Sequence, residues 1–247
     1  MKRQPVRKTL LLASMLLFPI TLNYLSPYLI ISGSMEGVLS GSAVLFITQF
    51  VTALVFGRAF CGWLCPAGGL QEVCANIQPK PTGKRMNLLK YGLWMVWLGA
   101  IVAGFVAAGG IARVQILYKT DTGISVDAPA GYFIYFSVVL LVVVLSLTLG
   151  RRGFCHSVCW MAPFMVLGTK LRDALHLPGL RLTAQPDRCI ACGMCSKACP
   201  MSLPVQALVQ TGKLAQSECI LCATCADVCP KKVLRVKMQK ASKNPEQ

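Results

Sequence analysis

Eight of the thirteen cysteines lie in the last quarter of the chain, and they follow one spacing twice. The spacing is C-x-x-C-x-x-C-x-x-x-C-P. Its two copies are Cys189, Cys192, Cys195 and Cys199 with Pro200, and Cys219, Cys222, Cys225 and Cys229 with Pro230. Closely spaced thiolates are the usual ligands of iron–sulfur clusters, and this run is typical of chains that bind two 4Fe–4S clusters. The pattern therefore predicts electron transfer.

The two copies are expected to share their ligands, as in bacterial ferredoxins, where the fourth cysteine of each run binds the other cluster. The two predicted ligand sets are Cys189, Cys192, Cys195 and Cys229 for the first cluster, and Cys219, Cys222, Cys225 and Cys199 for the second. A pair of zinc ribbons is the competing interpretation, but ribbons separate two C-x-x-C pairs in the sequence. Four cysteines within eleven positions, ending in proline and occurring twice, favour the clusters.

Four further cysteines form two C-x-x-x-C pairs, Cys61 with Cys65 and Cys155 with Cys159. This spacing would place the two sulfurs of a pair on one face of a helix. Four thiolates match the ligand count of a further iron–sulfur cluster, and His156 could tune or bind it. The alternatives are a dithiol redox couple, a docking surface for a partner ferredoxin, or buried cysteines that pack helix ends. The sequence leaves these alternatives open.

The rest of the chain is strongly apolar. Of all residues, 55% are hydrophobic and 14% are charged, whereas an average soluble domain has about 25% charged residues. Four apolar segments are each close to the ~20 residues that cross a bilayer as a helix: residues 9–31, 38–56, 91–111 and 131–149. The first is expected to be one helix bent at Pro19 and Pro27.

The charge is +16, from 25 basic and 9 acidic residues. Basic residues precede the first apolar segment (Lys2, Arg3, Arg7, Lys8) and follow the second (Arg58, Lys80, Lys84, Arg85, Lys90) and the fourth (Arg151, Arg152). Of the other two loops, the one after the first segment carries Glu36 alone. The one after the third segment carries Arg113 and Lys119, which Asp121 and Asp127 balance. The positive-inside rule therefore predicts that both termini are cytoplasmic. A nucleic-acid partner is not expected, because no nucleic-acid motif is present, and the charge instead suits anionic lipid.

The two C-x-x-x-C pairs belong to a weak internal repeat. Each follows a predicted helical hairpin and a Gly-Arg step, in the order Phe-Cys-x-x-x-Cys, at Cys61 and again at Cys155. Parallel repeats would place both pairs at the same, cytoplasmic, face of the membrane.

Residues 58–68, RAFCGWLCPAG, with Gln71 and Glu72, the four apolar segments and the paired cluster motif resemble the NapH-type family. These are membrane-bound ferredoxin-type subunits, with related proteins in nitrous oxide reduction and in oxidase copper assembly. The resemblance covers nearly the whole chain. It implies that quinol is oxidised at the membrane and that electrons pass through iron–sulfur centres to a partner redox protein. The second pair departs from the family pattern, since Trp160 rather than proline follows Cys159.

Two polar residues are candidates for contact with a quinone. Gln49, in the second apolar segment, could donate a hydrogen bond to a quinone carbonyl, and Arg58 could reach a quinone oxygen. Hydrogen bonding between helices is the alternative role for Gln49, and an arginine extended toward the interface is the alternative for Arg58.

The predicted fold is a membrane all-α four-helix bundle followed by a small α+β two-cluster ferredoxin-like domain. Its predicted boundaries are residues 1–180 for the bundle with its cytoplasmic C-x-x-x-C loops, 181–237 for the ferredoxin domain, and 238–247 for a basic tail. The predicted function is electron relay between the quinone pool and other redox protein subunits at the bacterial inner membrane. The alternatives are a wiring subunit of a larger respiratory or hydrogenase-like complex without its own quinone site, and a metal reductase for cofactor assembly.

Overall fold

A computed structural model describes residues 3–83, 85–120, 123–126, 129–212 and 214–240. The charges predicted to orient the chain at Lys2, Lys84, Asp121 and Asp127, and residues 241–247 of the basic tail, lie outside the described residues. The elements of the N-terminal part are α1 (Arg3–Leu16), α2 (Phe18–Thr21), α3 (Pro27–Met35), β1 (Val38–Ser40), α4 (Gly41–Phe56), α5 (Ala59–Trp63), α6 (Pro66–Cys74), α7 (Met86–Ala107), β2 (Arg113–Gln115), α8 (Pro129–Leu149), α9 (Gly153–Ser157) and α10 (Ala162–Ala174). The C-terminal part continues with β3 (Gly179–Ala184), α11 (Met194–Lys197), α12 (Val205–Gln210), α13 (Thr224–Asp227) and β4 (Leu234–Gln239).

Two helices, α7 and α8, are candidate membrane spans. They contain 22 and 21 residues and are apolar along their length. At 1.5 Å per residue each is a little over ~30 Å long, the thickness of a bilayer core. Most of their side chains face outward, as lipid contact would require. Among the described residues only these two helices are both long enough and apolar enough to cross a membrane. The four-span bundle remains a prediction.

The prediction of one continuous helix over residues 9–31 is wrong. The segment consists of α1, α2, a 3₁₀ turn over Asn23–Leu25, and α3. Proline lacks a backbone N–H and disfavours the helical conformation in the residue before it. Pro27 accordingly starts α3, and Ser26 before it is extended. The segment therefore breaks where the prediction allowed only a bend.

The second predicted span is also shorter than residues 38–56. Val38–Ser40 is strand β1, which pairs in parallel with β2, and the helix α4 that follows has 16 residues. Ser40 caps α4 by accepting a hydrogen bond from the Ala43 N–H, which is a common way to start a helix. The strand pair ties the loop before α4 to the loop after α7.

An aromatic cluster holds the centre of the helical part together. The ring of Phe164 on α10 contacts Phe46 on α4 and Trp94 and Trp97 on α7, mostly edge to face. Gly168 lets α10 approach α4 closely, because a Cβ there would lie 2.7 Å from the Phe50 carbonyl oxygen. The core therefore lies among α4, α7 and α10, with α10 outside the predicted spans.

The C-terminal part is a small α+β module. Strands β3 and β4 pair in antiparallel fashion from Gly179↔Gln239 to Ala184↔Leu234, and the cysteine loops lie between them. Helix α12 lies between the two cysteine loops, beginning after Pro204 and ending before Gly212, which has φ +68°. Strand β3 begins two residues before the predicted domain of residues 181–237, and β4 ends two residues after it.

Candidate iron–sulfur site

The eight cysteines of the repeated motif line two separate cavities, which share their residues in the crossed order expected from the sequence. One cavity is lined by Cys189, Cys192, Cys195 and Cys229. The other is lined by Cys199, Cys219, Cys222 and Cys225. Among the described residues, no three His, Cys, Asp or Glu side chains converge as a single metal ion would require.

The two cysteine loops share an unusual backbone conformation. Ala191 and Gly193 in the first loop, and Leu221 and Ala223 at the matching positions of the second, have φ between +50° and +75°. Positive φ is uncommon in residues other than glycine and costs energy. Alternation of this kind makes concave nests of N–H groups, which are found at many iron–sulfur sites. The residues present thus fit a 4Fe–4S cluster in each cavity.

The other four cysteines, Cys61, Cys65, Cys155 and Cys159, are all buried. Cys65 lies within electrostatic reach of the other three, so the structure brings the two C-x-x-x-C pairs together as the repeat predicts. Burial raises the pKa of the Cys61 and Cys65 thiols, and that of Cys159 to about 12.

The two C-x-x-x-C segments have the same local structure. In the first, the N–H groups of Leu64 and Cys65 both donate to the Phe60 carbonyl oxygen, and in the second those of Val158 and Cys159 both donate to Phe154. Each short helix ends before its second cysteine, so the expectation that i and i+4 sulfurs share one helix face is wrong. For Cys65 the reason is Pro66, which requires an extended residue before it.

Two buried arginines accompany this group of four cysteines. Arg58 and Arg152 each stand three residues before the first cysteine of a pair, and each is 1% exposed. Arg152 donates hydrogen bonds to the Cys61 carbonyl oxygen at 3.0 Å and to Glu72 at 2.7 Å. The positive charge of Arg58 opposes the effect of burial on the pKa of Cys61. Two buried cations beside four thiols favour an anionic group at this place.

Arg58 is not placed for the role suggested by the sequence. Its guanidinium donates to the carboxylate and to the backbone oxygen of Glu218, which lies 160 positions away in the ferredoxin-like module. In this structure Arg58 is therefore paired with the module and does not extend to the interface, and its contact with a quinone stays a prediction. Gln49 is buried as predicted, and neither of its amide atoms has a hydrogen-bond partner among the described residues.

Glu218 joins the module to the helices. It also accepts hydrogen bonds from Lys90 Nζ at 2.9 Å and from the Tyr91 hydroxyl at 2.6 Å. Burial alone would raise the pKa of Glu218, but Arg58 and Lys90 bring it down to about 2. His156 contacts the same cluster through Asn87, and burial together with Lys90 lowers its pKa to about 4. The carboxylate is charged and the imidazole is neutral near pH 7.

We expect Glu218→Gln to destabilise the docking of the module by ~3–5 kcal/mol, because it leaves buried Arg58 and Lys90 without their counter-ion. The measurement is the denaturant or temperature at which protease releases the module. Asp227→Asn is the control, since the Arg3–Asp227 pair at the same interface is partly exposed and such pairs contribute less than ~1 kcal/mol. Equal effects of the two substitutions would contradict the prediction.

The segment after Cys61 touches the loop of the second cysteine set. The Trp63 indole N–H donates to the Leu221 carbonyl oxygen at 3.1 Å. Gly62 is in such close contact that a Cβ there would overlap the Ile220 carbonyl oxygen and lie 3.5 Å from the Cβ of Cys222. The group of four cysteines and the second cavity are thus direct neighbours.

We expect Gly62→Ala to force this contact apart, with a loss of ~1–3 kcal/mol typical of overpacked sites. The thermal midpoint at which the iron–sulfur absorbance bleaches would report it. Gly92→Ala serves as the control, because no atom lies within 4 Å of a Cβ at that helix position. An unchanged midpoint for Gly62→Ala would show that the two segments are not packed in this way.

Several residues of the site were not predicted. The position of Glu218 directly before Cys219 could have indicated that it belongs to the site. Its partners could not have been found in this way, because they are far away in the sequence. Gln71 and Glu72 entered only as part of a resemblance. In the structure the Gln71 side-chain amide contacts the Cys155 sulfur at 3.1 Å, and its oxygen accepts the Cys155 backbone N–H at 3.3 Å.

Comparison with known proteins agrees with this geometry. A 4Fe–4S binding domain matches residues 41–84 and 130–178, which contain the two C-x-x-x-C pairs, and a 4Fe–4S dicluster domain matches residues 188–234. The chain is 25% identical over 196 residues to YccM of Escherichia coli K12, which is named as an electron transport protein. It is 26% identical over 184 residues to the methylamine utilization ferredoxin-type protein MauN of Methylobacillus flagellatus, and 28% over 189 residues to the regulatory protein NosR of Pseudomonas aeruginosa.

This chain is a homologue of ferredoxin-type electron-transport proteins. The alignments cover 74%, 70% and 71% of it for YccM, MauN and NosR. The chain spans 52% of YccM, 60% of MauN and 24% of NosR. No solved structure matches it. The resemblance found in the sequence is confirmed at this level, and assignment to the NapH-type branch remains a prediction.

Proposed function

We propose that this chain is a membrane-anchored iron–sulfur protein that relays electrons between the quinone pool and a partner redox protein. The observation that carries the proposal is the contact between the Cys61 segment and the Cys219–Cys225 loop, through Gly62 and Trp63. It supports a continuous row of three cysteine groups from the helical part to the surface of the module.

Three groups of residues would hold the clusters. The predicted ligand sets of the module line its two cavities, and Cys61, Cys65, Cys155 and Cys159 would hold a third. A bound 4Fe–4S cluster supplies the capacity to accept and donate one electron at a time. The buried Arg58 and Arg152 support the third site, because four thiolates with a cluster carry negative charge that needs compensation in a buried place.

The proposed orientation in the membrane places the N-terminus and the module on the same, cytoplasmic, side. Arg3 pairs with Asp227 of the module, and Lys90, near the start of α7, pairs with Glu218. The end of α8 is nearby, since the Thr82 hydroxyl donates to the Leu149 carbonyl oxygen. Strands β1 and β2 lie at the opposite ends of α4 and α7. The basic residues therefore collect on the side of the module, as the positive-inside rule requires.

The first cavity of the module is the proposed exit for electrons. Cys192 is exposed, and so are the apolar side chains of Ile190 and Met194 beside it. By contrast, three cysteines of the second set are buried. An accessible redox group with an apolar rim suits brief contact with another redox protein.

Iron content and reduction by quinol test the proposal. Anaerobically prepared protein in lipid vesicles should contain about twelve iron atoms per chain if all three groups hold clusters of four, and menadiol should reduce the protein as dithionite does. If dithionite reduces the clusters and menadiol does not, the chain is a wiring subunit without its own quinone site. Colourless protein without iron would overturn the electron-transfer function altogether.

A further inference from the structure

An open cleft of about 320 Å³ lies between α1 and α6 and reaches the module at Pro200 and Thr224. Its volume is within the range of sites for small organic ligands. Neither Gln49 nor Arg58, the residues suggested by the sequence, lines it. The cleft is therefore a separate place from the one predicted for a quinone.

The buried part of the cleft is polar, and its exposed part mixes apolar side chains with the polar Lys8 and Asn76. Gln71 and Arg152 are fully buried at the inner end, with Glu72 beside them. At the outer end Leu12 and Val73 are each 45% exposed. Leu12 belongs to the apolar face of α1 that also exposes Leu16, which is 75% exposed. A ligand with a polar head and an apolar tail matches this arrangement.

The cleft also touches two of the three cysteine groups. The Gln71 amide that lines it contacts the Cys155 sulfur at 3.1 Å. On the opposite wall, the Thr224 hydroxyl contacts the Cys222 sulfur at 3.3 Å, and Pro200 directly follows Cys199. A molecule in the cleft would thus be separated from a sulfur ligand by a single side chain on either side.

We propose that this cleft binds the head group of a quinol, with its tail directed outward past Leu12 and Val73. The inference rests on the proposed function and names the site at which electrons enter. Arg152 can donate a hydrogen bond to a ring oxygen, because its buried Nε has no hydrogen-bond partner among the described residues, whereas the Gln71 amide already donates to Ala67 and Cys155. Glu72 is the one carboxylate among the described residues that line the cleft.

The step balances as the oxidation of a quinol to a quinone. Both O–H bonds of the quinol break, and two protons and two electrons leave. The protons pass to water at the open mouth of the cleft, because Arg7 and Arg152 already bind the Glu72 carboxylate and lower its pKa. The cysteines behind the two walls would hold iron–sulfur clusters, and such clusters would supply the one-electron acceptors that the two electrons need.

Narrowing the mouth of the cleft tests the site without touching a cysteine. We expect Leu12→Trp and Val73→Trp to abolish reduction of the full-length, iron-loaded protein by menadiol in phosphatidylcholine vesicles, while dithionite still reduces it fully. Leu16→Trp is the matched control, because this exposed leucine of the same helix does not line the cleft. It should leave the rate with menadiol unchanged. Reduction of both cleft variants at the wild-type rate would overturn the inference.

Two further measurements separate this inference from the proposed function. If Gln49→Leu abolishes reduction by menadiol and the cleft variants do not, quinol binds elsewhere and only the cleft is wrong. If menadiol fails to reduce the wild type itself, the quinone relay is wrong. The cleft has several basic side chains, including Arg7 and Lys8, so anionic lipid is the competing ligand. Phosphatidylglycerol in the vesicles should slow reduction of the wild type by menadiol if it occupies the cleft, and an unchanged rate would exclude it as the occupant.

Discussion

Cys195→Ala should remove about four iron atoms per chain and unfold most of the C-terminal module. Cys195 lines the first cavity with Cys189, Cys192 and Cys229, so its loss leaves three sulfurs for a cluster that needs four. The module has little else to hold it together. Its helices α11 and α13 contain four residues each, and its sheet has two strands. Small domains of this kind depend on bound metal for their folding energy.

Iron analysis and susceptibility of residues 179–240 to protease would measure both effects. Cys74→Ala is the control for removal of a buried thiol, since Cys74 is buried and lines neither cavity. It should keep the full iron content. An unchanged iron content in Cys195→Ala would show that this cysteine is not a ligand and that the crossed assignment is wrong.

The cysteine groups could be predicted because ligands of one cluster are close together in the sequence and follow a characteristic spacing. Cys219, Cys222 and Cys225 lie within one loop, and the return of Cys199 to that loop follows from how ferredoxin motifs share ligands. The lengths of α7 and α8 could also be predicted approximately from the sequence. A long apolar segment in lipid can satisfy the hydrogen bonds of its backbone N–H and C=O groups in few ways other than as a helix.

The contacts between distant segments could not be predicted in the same way. Arg58 looks like a residue at the end of a membrane helix, and nothing near it in the sequence indicates that Glu218 is its partner. The break between α1 and α3 is a related case. Pro27 indicates a disturbance there, but the length of the break depends on contacts such as that between the Asn23 N–H and the Ser125 hydroxyl.

The local pattern of the C-x-x-x-C pairs misled for a physical reason. Four-residue spacing indicates one helix face only if the helix continues, and here each helix ends two residues before its second cysteine. The extended conformation of Cys65 turns the chain so that both pairs meet. Trp160 in place of the proline of the resembled family does not alter this, because the hydrogen bonds of the second segment repeat those of the first.

Cys61→Ala combined with Cys65→Ala should lower the iron content by about four atoms per chain and leave the signals of the module in place, if the four buried cysteines hold a third cluster. Loss of the anionic cluster removes part of the charge that balances Arg58 and Arg152, but Glu218 and Glu72 stay paired with them, so the helical part should still fold. The cavities of the module lie on other segments and keep all their cysteines. The variant should therefore fold, which separates loss of a ligand from loss of structure.

Iron analysis with EPR of the dithionite-reduced protein distinguishes a third cluster, a dithiol couple and simple packing, which are three of the four interpretations of these cysteines. A third cluster predicts about twelve iron atoms in the wild type and about eight in the double variant. A dithiol couple predicts about eight in both, together with two thiols that titrate in the wild type only after reduction. Simple packing predicts about eight in both and no such thiols. Arg58 and Arg152 place two buried positive charges beside the four sulfurs. If the thiols were neutral and only packed there, Arg58 and Lys90 would have to share the single carboxylate of Glu218. The charge balance of the site therefore favours a third cluster.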